Sequence, residues 1–219
     1  MSLRDIADVL ADRATHAGLV IPEPLASQLT VYYQVLSHWN RKINLTSLSD
    51  ADEAVDRLLL EPVAAAAYLP RQTDLIDLGS GGGSPAVPLA LTLQASCLVM
   101  VESRVRKAAF LREVLRELGL SGSVESTRFE DLALRPEFAG QFGILSVRAV
   151  RLDAPLFAAV SKLLRADGLA ALFRTVQAED PPQGLPATLR RLWSRQLIRA
   201  SHSALTLLQK TPDSRSHLT

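Results

Sequence analysis

Apolar residues recur every three or four positions through residues 2–17, with Leu3, Ile6, Val9, Leu10 and Ala14 on one stripe. That period predicts an amphipathic helix, and Gly18 ends it. Pro22 and Pro24 open a second helix that runs to about Arg41. Its apolar positions are Leu25, Leu29, Tyr32, Tyr33, Leu36 and Trp39. The segment Asn44-Leu45-Thr46-Ser47 reads as a loop. Ser49 with Asp52 fits a capping box at the start of a third helix, which runs toward Leu69. Pro62 should kink or split that helix, because its ring removes a donor and crowds the preceding turn.

After Pro70 the pattern changes to short apolar runs separated by amphipathic stretches. Strands are expected at 74–78, 97–101, 122–126, 142–147, 168–173, 196–200 and 203–209. Helices are expected at about 85–94, 103–118, 129–133, 153–165 and 184–192. The alternation predicts an α/β fold with a mostly parallel sheet. The last two strands are too close for a crossover, so they should form an antiparallel hairpin at one edge. The expected organisation is a helical extension over 1–70, a core over 71–210 and a frayed polar tail over 211–219.

Composition narrows the class. Hydrophobic residues make 47% and charged residues 21% of 219 residues, enough for a core and against overall disorder. Aromatics at 5% argue against a β-sandwich or an aromatic-lined nucleic-acid sheet. A single cysteine, Cys97, excludes an intramolecular disulfide and a cysteine zinc cluster, and suits a reducing cytosol. It falls in an expected buried strand and reads as a core residue. The N-terminus carries acids and does not read as a signal peptide. No stretch approaches the ~18 apolar residues of a membrane span. Net charge is +1, so bulk charge points to no partner. Twenty of the 24 basic residues are arginine, which suits bidentate phosphate contact. The many alanines fit a GC-rich codon bias equally well.

The strongest chemical signal is Asp77-Leu78-Gly79-Ser80-Gly81-Gly82-Gly83-Ser84, directly after the first core strand. Glycines let the backbone turn sharply and approach a ligand, and the following helix offers free amides. Glu102, after the second strand, stands where a carboxylate accepts both ribose hydroxyls of an adenosine. Two cofactors fit. Gly81-x-Gly83-x-x-Ala86 matches a dinucleotide fingerprint. Asp77-x-Gly79-x-Gly81-x-Gly83 matches the acidic-x-G-x-G-x-G turn of methyltransferases, in which Asp77 helps hold the methionine end of S-adenosylmethionine, directly or through water.

Other chemistry is absent. There is no nucleophile elbow and no Walker loop. His16, His38, His202 and His217 lack metal spacing. With Cys97 in the core, cytosine C5 methylation lacks its nucleophile. Without an Asn/Asp-Pro-Pro-aromatic segment, methylation of an exocyclic amine is disfavoured. A guanine N7 needs neither device, since its lone pair is free and carries no proton.

Several segments together resemble one family. They are Asn44-Leu45-Thr46-Ser47, the run from Leu75 to Leu89 with Pro85 and Pro88, Glu102-Ser103, Arg106 to Leu111, Arg128-Phe129-Glu130 and Val147-Arg148-Ala149. In order and spacing they resemble the small-subunit ribosomal RNA methyltransferase G family, also called glucose-inhibited division protein B, over about residues 25–175. The resemblance implies a Rossmann-like class I methyltransferase core with a seven-stranded sheet. It implies methyl transfer from S-adenosylmethionine to N7 of a guanine in 16S rRNA, free or in the small ribosomal subunit. By position, Gly79, Gly81, Gly83 and Ser84 line the methionine part of the cofactor. Glu102 holds the ribose with Ser103 beside it, and Phe129 and Glu130 border the adenine. Arg148 lies beside cofactor and substrate as the catalytic candidate. Arg57 and Arg174 are substrate-binding candidates.

The sequence also departs from that family. Arg57 is followed by Leu58 where the family has histidine, and Glu61 by Pro62 where it has serine. Gly82 replaces the proline of the glycine turn, Val147 a serine, and Phe173-Arg174 a Lys-Gly pair. These changes fall on the RNA side more than on the cofactor side. Two other readings therefore stand beside the first, an NAD-dependent oxidoreductase and a non-catalytic RNA-binding relative. Arg104, Arg106, Lys107, Arg112 and Arg116 form one basic group, and Arg190, Arg191, Arg195 and Arg199 another. Either group suits phosphate contact or a solvated face. The helical spacing of Tyr32, Tyr33 and Trp39 favours core packing over base stacking. No heptad seam is present, so the chain is expected to be a monomer in the cytoplasm.

Overall fold

A computed structural model describes residues 3–175, 184–198 and 203–212. Helix α1 (Leu3–Ala17) and helix α2 (Glu23–Asn40) form where the apolar stripes predict them. Ile6, Leu10 and Ala14 are buried from α1, and Leu29, Tyr32 and Leu36 from α2. Helix α3 (Ala51–Val55) is capped one residue later than expected. Asp50, not Ser49, accepts from the Glu53 amide at 2.8 Å. A π-helical turn (Asp56–Leu60) follows, then α4 (Glu61–Ala66) with Pro62 in its first turn. The split at Pro62 is thus real, and the proline takes an initial position where its missing N–H costs little. Arg13 of α1 pairs with Asp56, tying the first helix to this segment.

Seven strands form one sheet in the order β3-β2-β1-β4-β5-β7-β6. They are β1 (Leu75–Leu78), β2 (Leu98–Val101), β3 (Gly122–Glu125), β4 (Phe142–Arg148), β5 (Leu164–Thr175), β6 (Leu189–Gln196) and β7 (Ser203–Lys210). The first five are parallel, and β7 runs antiparallel to both β5 and β6. The crossovers are α5 (Ala86–Leu93), α6 (Val105–Glu117), α7 (Phe129–Leu132) and α8 (Ala154–Leu163), which Asp153 caps.

Every residue of β1 and β2 is buried, as strands covered on both faces must be. One hydrophobic cluster joins α1 and α2 to α5, α6 and one face of the sheet, so the N-terminal helices share the core. A second cluster packs α8 on the other face.

Two sequence expectations fail. The helix expected at 184–192 is instead turn and irregular chain over 184–188 and strand β6 from Leu189, and the strand expected at 196–200 begins too late, since β6 ends at Gln196. A register shift between Arg191 and Trp193 breaks the strand's alternation, and charges protect its outer edge. Together these gave the segment a helix-like period. Residues 199–200 lie outside the described residues, as do Arg199, His202, His217 and most of the expected tail. Cys97 precedes β2 and is half-buried, because the strand begins only at Leu98.

Candidate active site

The parallel strands end together on one edge, and each delivers a site residue there. Residue Gly79 follows β1, Glu102 follows β2, Phe129 follows β3, Arg148 closes β4, and Phe173 with Arg174 lies near the end of β5. This edge is where open α/β sheets hold ligands.

The glycine loop is fastened from behind. The amides of Gly79 and Ser80 both donate to the Val101 carbonyl, at 2.9 and 3.0 Å. The loop's far side is held by the Tyr32 hydroxyl, which donates to the Gly82 carbonyl at 2.6 Å. Tyr32 is fully buried, and burial pushes its phenol well above the ordinary value, so it stays a neutral donor. Two glycines are required by geometry. Gly79 has φ +74°, and a Cβ there would stand 2.7 Å from the Val150 side chain. Gly83 has φ +86° and meets Tyr32 and Leu111 at 3.3 Å. The Ser84–Pro85 peptide is cis.

Glu102 is 7% exposed and accepts two backbone amides, from Gly81 at 2.9 Å and from Arg104 at 2.8 Å. These bonds fix its carboxylate toward a cavity of about 470 Å³ that Gly79, Glu102, Ser103, Phe129 and Glu130 also line. Gly79 and Glu102 are shared with a second cavity of about 460 Å³. Its wall includes Gly81, Ser84, Arg57, Lys107, Arg148 and the loop Leu45–Leu48. That loop is pinned by Asn40, whose side-chain oxygen accepts from the Leu45 and Thr46 amides. Arg57, Arg148, Ala149 and Val150 are shared in turn with a third cavity of about 340 Å³, where Phe173, Arg174, Thr175 and Ser203 lie.

Arg148 stands between the second and third cavities. Its Nη2 donates to Glu61 at 2.7 Å, its Nη1 donates to the Arg57 carbonyl at 2.5 Å, and its guanidinium lies 4.7 Å from the Phe173 ring centre. Burial pulls the guanidinium below its ordinary value while Glu61 opposes the shift. Arginine remains charged regardless. The next residue, Ala149, is left-handed at φ +56°, which turns the chain sharply at the strand end.

The structure thus brings Gly79, Gly81, Ser84, Glu102, Ser103, Phe129, Glu130, Arg148, Arg57 and Arg174 onto adjoining cavity walls. Two candidates take other places. Gly83 is buried in the turn, its amide donating to Ser80. Asp77 is 1% exposed and lies behind the loop, off the walls of the three cavities. Burial pushes its carboxyl up to about 6, against hydrogen bonds from Ser146 and Ser80 and the charge of Arg148.

Of the basic residues, Arg104 and Lys107 line the second cavity. Arg112 donates to the Val124 carbonyl and Arg116 pairs with Glu117, which makes them surface fastenings. Arg195 stacks on Trp193 and Tyr68, level with Phe173 but on the outermost strand β6. Trp39 packs on Phe110, in keeping with a core role. Sequence reasoning passed over Glu61, Ser146, Asn40 and the Tyr32 hydroxyl. A serine inside the apolar run Phe142–Val147 was the one legible signal.

The residues present suit an adenosine cofactor. An anchored carboxylate and a ring at Phe129 share one cavity, and glycine backbone with an arginine lines the next. No group of three or more His, Cys, Asp or Glu able to hold a metal occurs among the described residues.

Comparison with known proteins adds a family. The profile of the family described as rRNA small subunit methyltransferase G matches residues 25–201. The protein named ribosomal RNA small subunit methyltransferase G of Stenotrophomonas maltophilia (strain K279a) is 34% identical over 172 residues, covering 78% of this chain and 79% of its own. Its namesake from Pseudomonas aeruginosa (strain LESB58) is 38% identical over 132 residues, 60% and 61% of the two chains. The structure of P. horikoshii TYW2 in complex with MeSAdo superposes with a TM-score of 0.56 at 14% identity, over 70% of this chain and 62% of that one. That likeness shows a shared fold.

Proposed function

The chain belongs to the rRNA small subunit methyltransferase G family, and from that premise we propose that it methylates N7 of a guanine in 16S rRNA using S-adenosylmethionine. The observation that carries this reading is the row of three cavities along the strand ends, joined through Gly79 and Glu102 and then through Arg148. The first suits an adenosine, the second a methionine chain, and the third an acceptor nucleotide. Family membership sets the dinucleotide reading aside.

S-adenosylmethionine, when bound, supplies an electrophilic methyl group. The chain's own residues bind and orient. Glu102 offers its remaining lone pairs to the ribose hydroxyls. Phe129 and Glu130 flank the adenine, with Ser103 at the rim. Gly79, Gly81 and Ser84 form the wall beside the methionine part. Arg148, at the junction, meets the acceptor, and Arg57 and Arg174 stand where phosphates of a single-stranded segment would pass. A guanine N7 has no proton to lose, so the site needs alignment rather than a base. The loss of the Lys-Gly pair at Phe173-Arg174 leaves a cation there, on arginine.

No helix among the described residues is long and apolar enough to cross a membrane. We place the protein in the cytoplasm as a monomer, acting on free rRNA or the small subunit. The test is calorimetric titration with S-adenosylmethionine, S-adenosylhomocysteine and NAD, followed by methyl incorporation into naked 16S rRNA and small subunits. Saturable binding of the first two, weakened at least tenfold in Glu102→Ala, with label at a guanine N7, is the expected result. Cofactor binding without incorporation into either RNA form would favour the non-catalytic relative.

A further inference from the structure

We propose that Glu61 is a positioning residue for methyl transfer, holding the Arg148 guanidinium on the wall between the glycine-loop cavity and the Phe173 cavity. The proposal rests on the methyltransferase reading above.

Glu61 is 1% exposed, and its Oε2 accepts from Arg148 Nη2 at 2.7 Å. Three groups hold Arg148, namely Glu61, the Arg57 carbonyl and the Phe173 ring. Among them only Glu61 brings a charge, so it decides where the cation rests. A buried ion pair is a poor stabilising device, since desolvating both ions offsets most of their attraction. This pair is also under-satisfied, because Glu61 Oε1 and Arg148 Nε are both buried without a hydrogen-bond partner among the described residues. Apolar side chains of similar volume would pack this position at lower cost. The pair's presence at such a cost therefore points to use rather than to stability.

The local helix supports the same conclusion. The Glu61 amide donates to the Asp56 carbonyl, one residue further back than in an α-helix. One extra residue in a turn rotates the succeeding side chains by about 100° round the axis. The π turn thus aims the side chain of Glu61 at β4 and brings the Arg57 carbonyl to the same guanidinium. Such turns recur at functional sites. Arg148 in turn lines both of these cavities but not the adenosine cavity at Ser103, Phe129 and Glu130, so a shift of its planar head alters the acceptor's approach while the adenosine anchorage keeps its walls.

The test compares steady-state transfer to 16S rRNA by wild type, Glu61→Gln, Arg148→Lys and the double variant, with calorimetry of S-adenosylmethionine binding on each. Glu61→Gln should lower kcat by about tenfold or more while cofactor affinity stays within about twofold. In the Arg148→Lys background the same change should alter kcat less than about twofold, because the group it acts through is already altered. Glu61→Asp, which keeps the charge but is one methylene shorter, should recover part of the loss, and it carries the comparison should Glu61→Gln fail to fold. A Glu61→Gln enzyme within twofold of wild-type kcat overturns the proposal. Equal losses in both backgrounds also overturn it, since a merely structural role would give that result. A wild type that binds the cofactor yet methylates no RNA overturns the assigned activity and this proposal with it, and only that result shows in the wild-type arm.

Discussion

Asp77 on β1 and Ser146 on β4 are paired residues of the sheet, and the serine hydroxyl donates to the aspartate carboxylate at 2.5 Å. The pair lies beneath the glycine loop, where the Ser80 hydroxyl also donates to the Asp77 carbonyl at 3.1 Å. A buried acid is thereby placed within reach of the charge of Arg148. The acid behind the loop and the cation in front of it belong to one electrostatic unit.

The Asp77 carboxyl gives a pH prediction. Burial raises it to about 6 from 3.8. Between those values the folded protein holds a proton that the unfolded chain has released. Its contribution to stability is therefore fully present below about pH 4, declines as pH rises to about 6, and is flat above. The total is on the order of 3 kcal/mol. Asp77→Asn cannot ionise and escapes this loss. Denaturant unfolding at pH 4 to 8 should show the variant gaining on wild type up to pH 6 and holding a constant lead beyond. A gap that does not change with pH contradicts the burial account.

Tyr32→Phe removes the donor to the Gly82 carbonyl while keeping the ring in the core. The carbonyl is left without that partner, at a cost of about 1–3 kcal/mol. We expect a lower Tm and weaker binding of S-adenosylmethionine by calorimetry. Unchanged affinity with a lowered Tm means that the hydroxyl supports the fold and not the loop.

Gly79→Ala places a methyl 2.7 Å from the Val150 side chain in a left-handed backbone. The strain is about 1–3 kcal/mol and falls on the loop that joins the first two cavities. Cofactor affinity should drop by about tenfold or more, while circular dichroism retains the α/β spectrum. Wild-type affinity contradicts the close approach at this turn.

Arg148→Ala should abolish methyl transfer. From sequence alone the substitution is expected to leave the fold intact, but the structure changes that expectation. The buried Glu61 carboxylate loses its cation and is left uncompensated, which costs about 3–5 kcal/mol. Thermal unfolding should show a clear fall in Tm, and Glu61→Gln in the same background should restore part of it. Near-normal turnover by Arg148→Ala would remove the residue from the site.

The sheet's parallel part was legible because its signals are local. Apolar runs mark buried strands, and the glycines, the proline pair and the strand-end acid Glu102 lie within short stretches of chain. Gly79, Gly81 and Glu102, which those stretches contain, line cavities at the strand ends. Strand β6 was not legible, because a register shift and a charged edge erase the alternation that marks a strand. The cap at Asp50 was missed by one residue, since Ser49 and Asp50 are both good capping residues and only backbone geometry chooses between them.

Spacing and residue type alone determined the class of fold and the segments that carry the family resemblance. Tertiary structure alone decided that Asp77 faces Ser146 and that Tyr32 supports Gly82. It also decided that Glu61 reaches Arg148 across 87 residues of chain. These contacts join residues far apart in sequence, and each partner taken singly looks like an ordinary core or surface residue. The sheet register and the π turn set their distances, and the resulting burial sets the charge of Asp77 and the place of Arg148. A one-dimensional pattern carries no distance between distant residues, so no reading of it supplies those contacts.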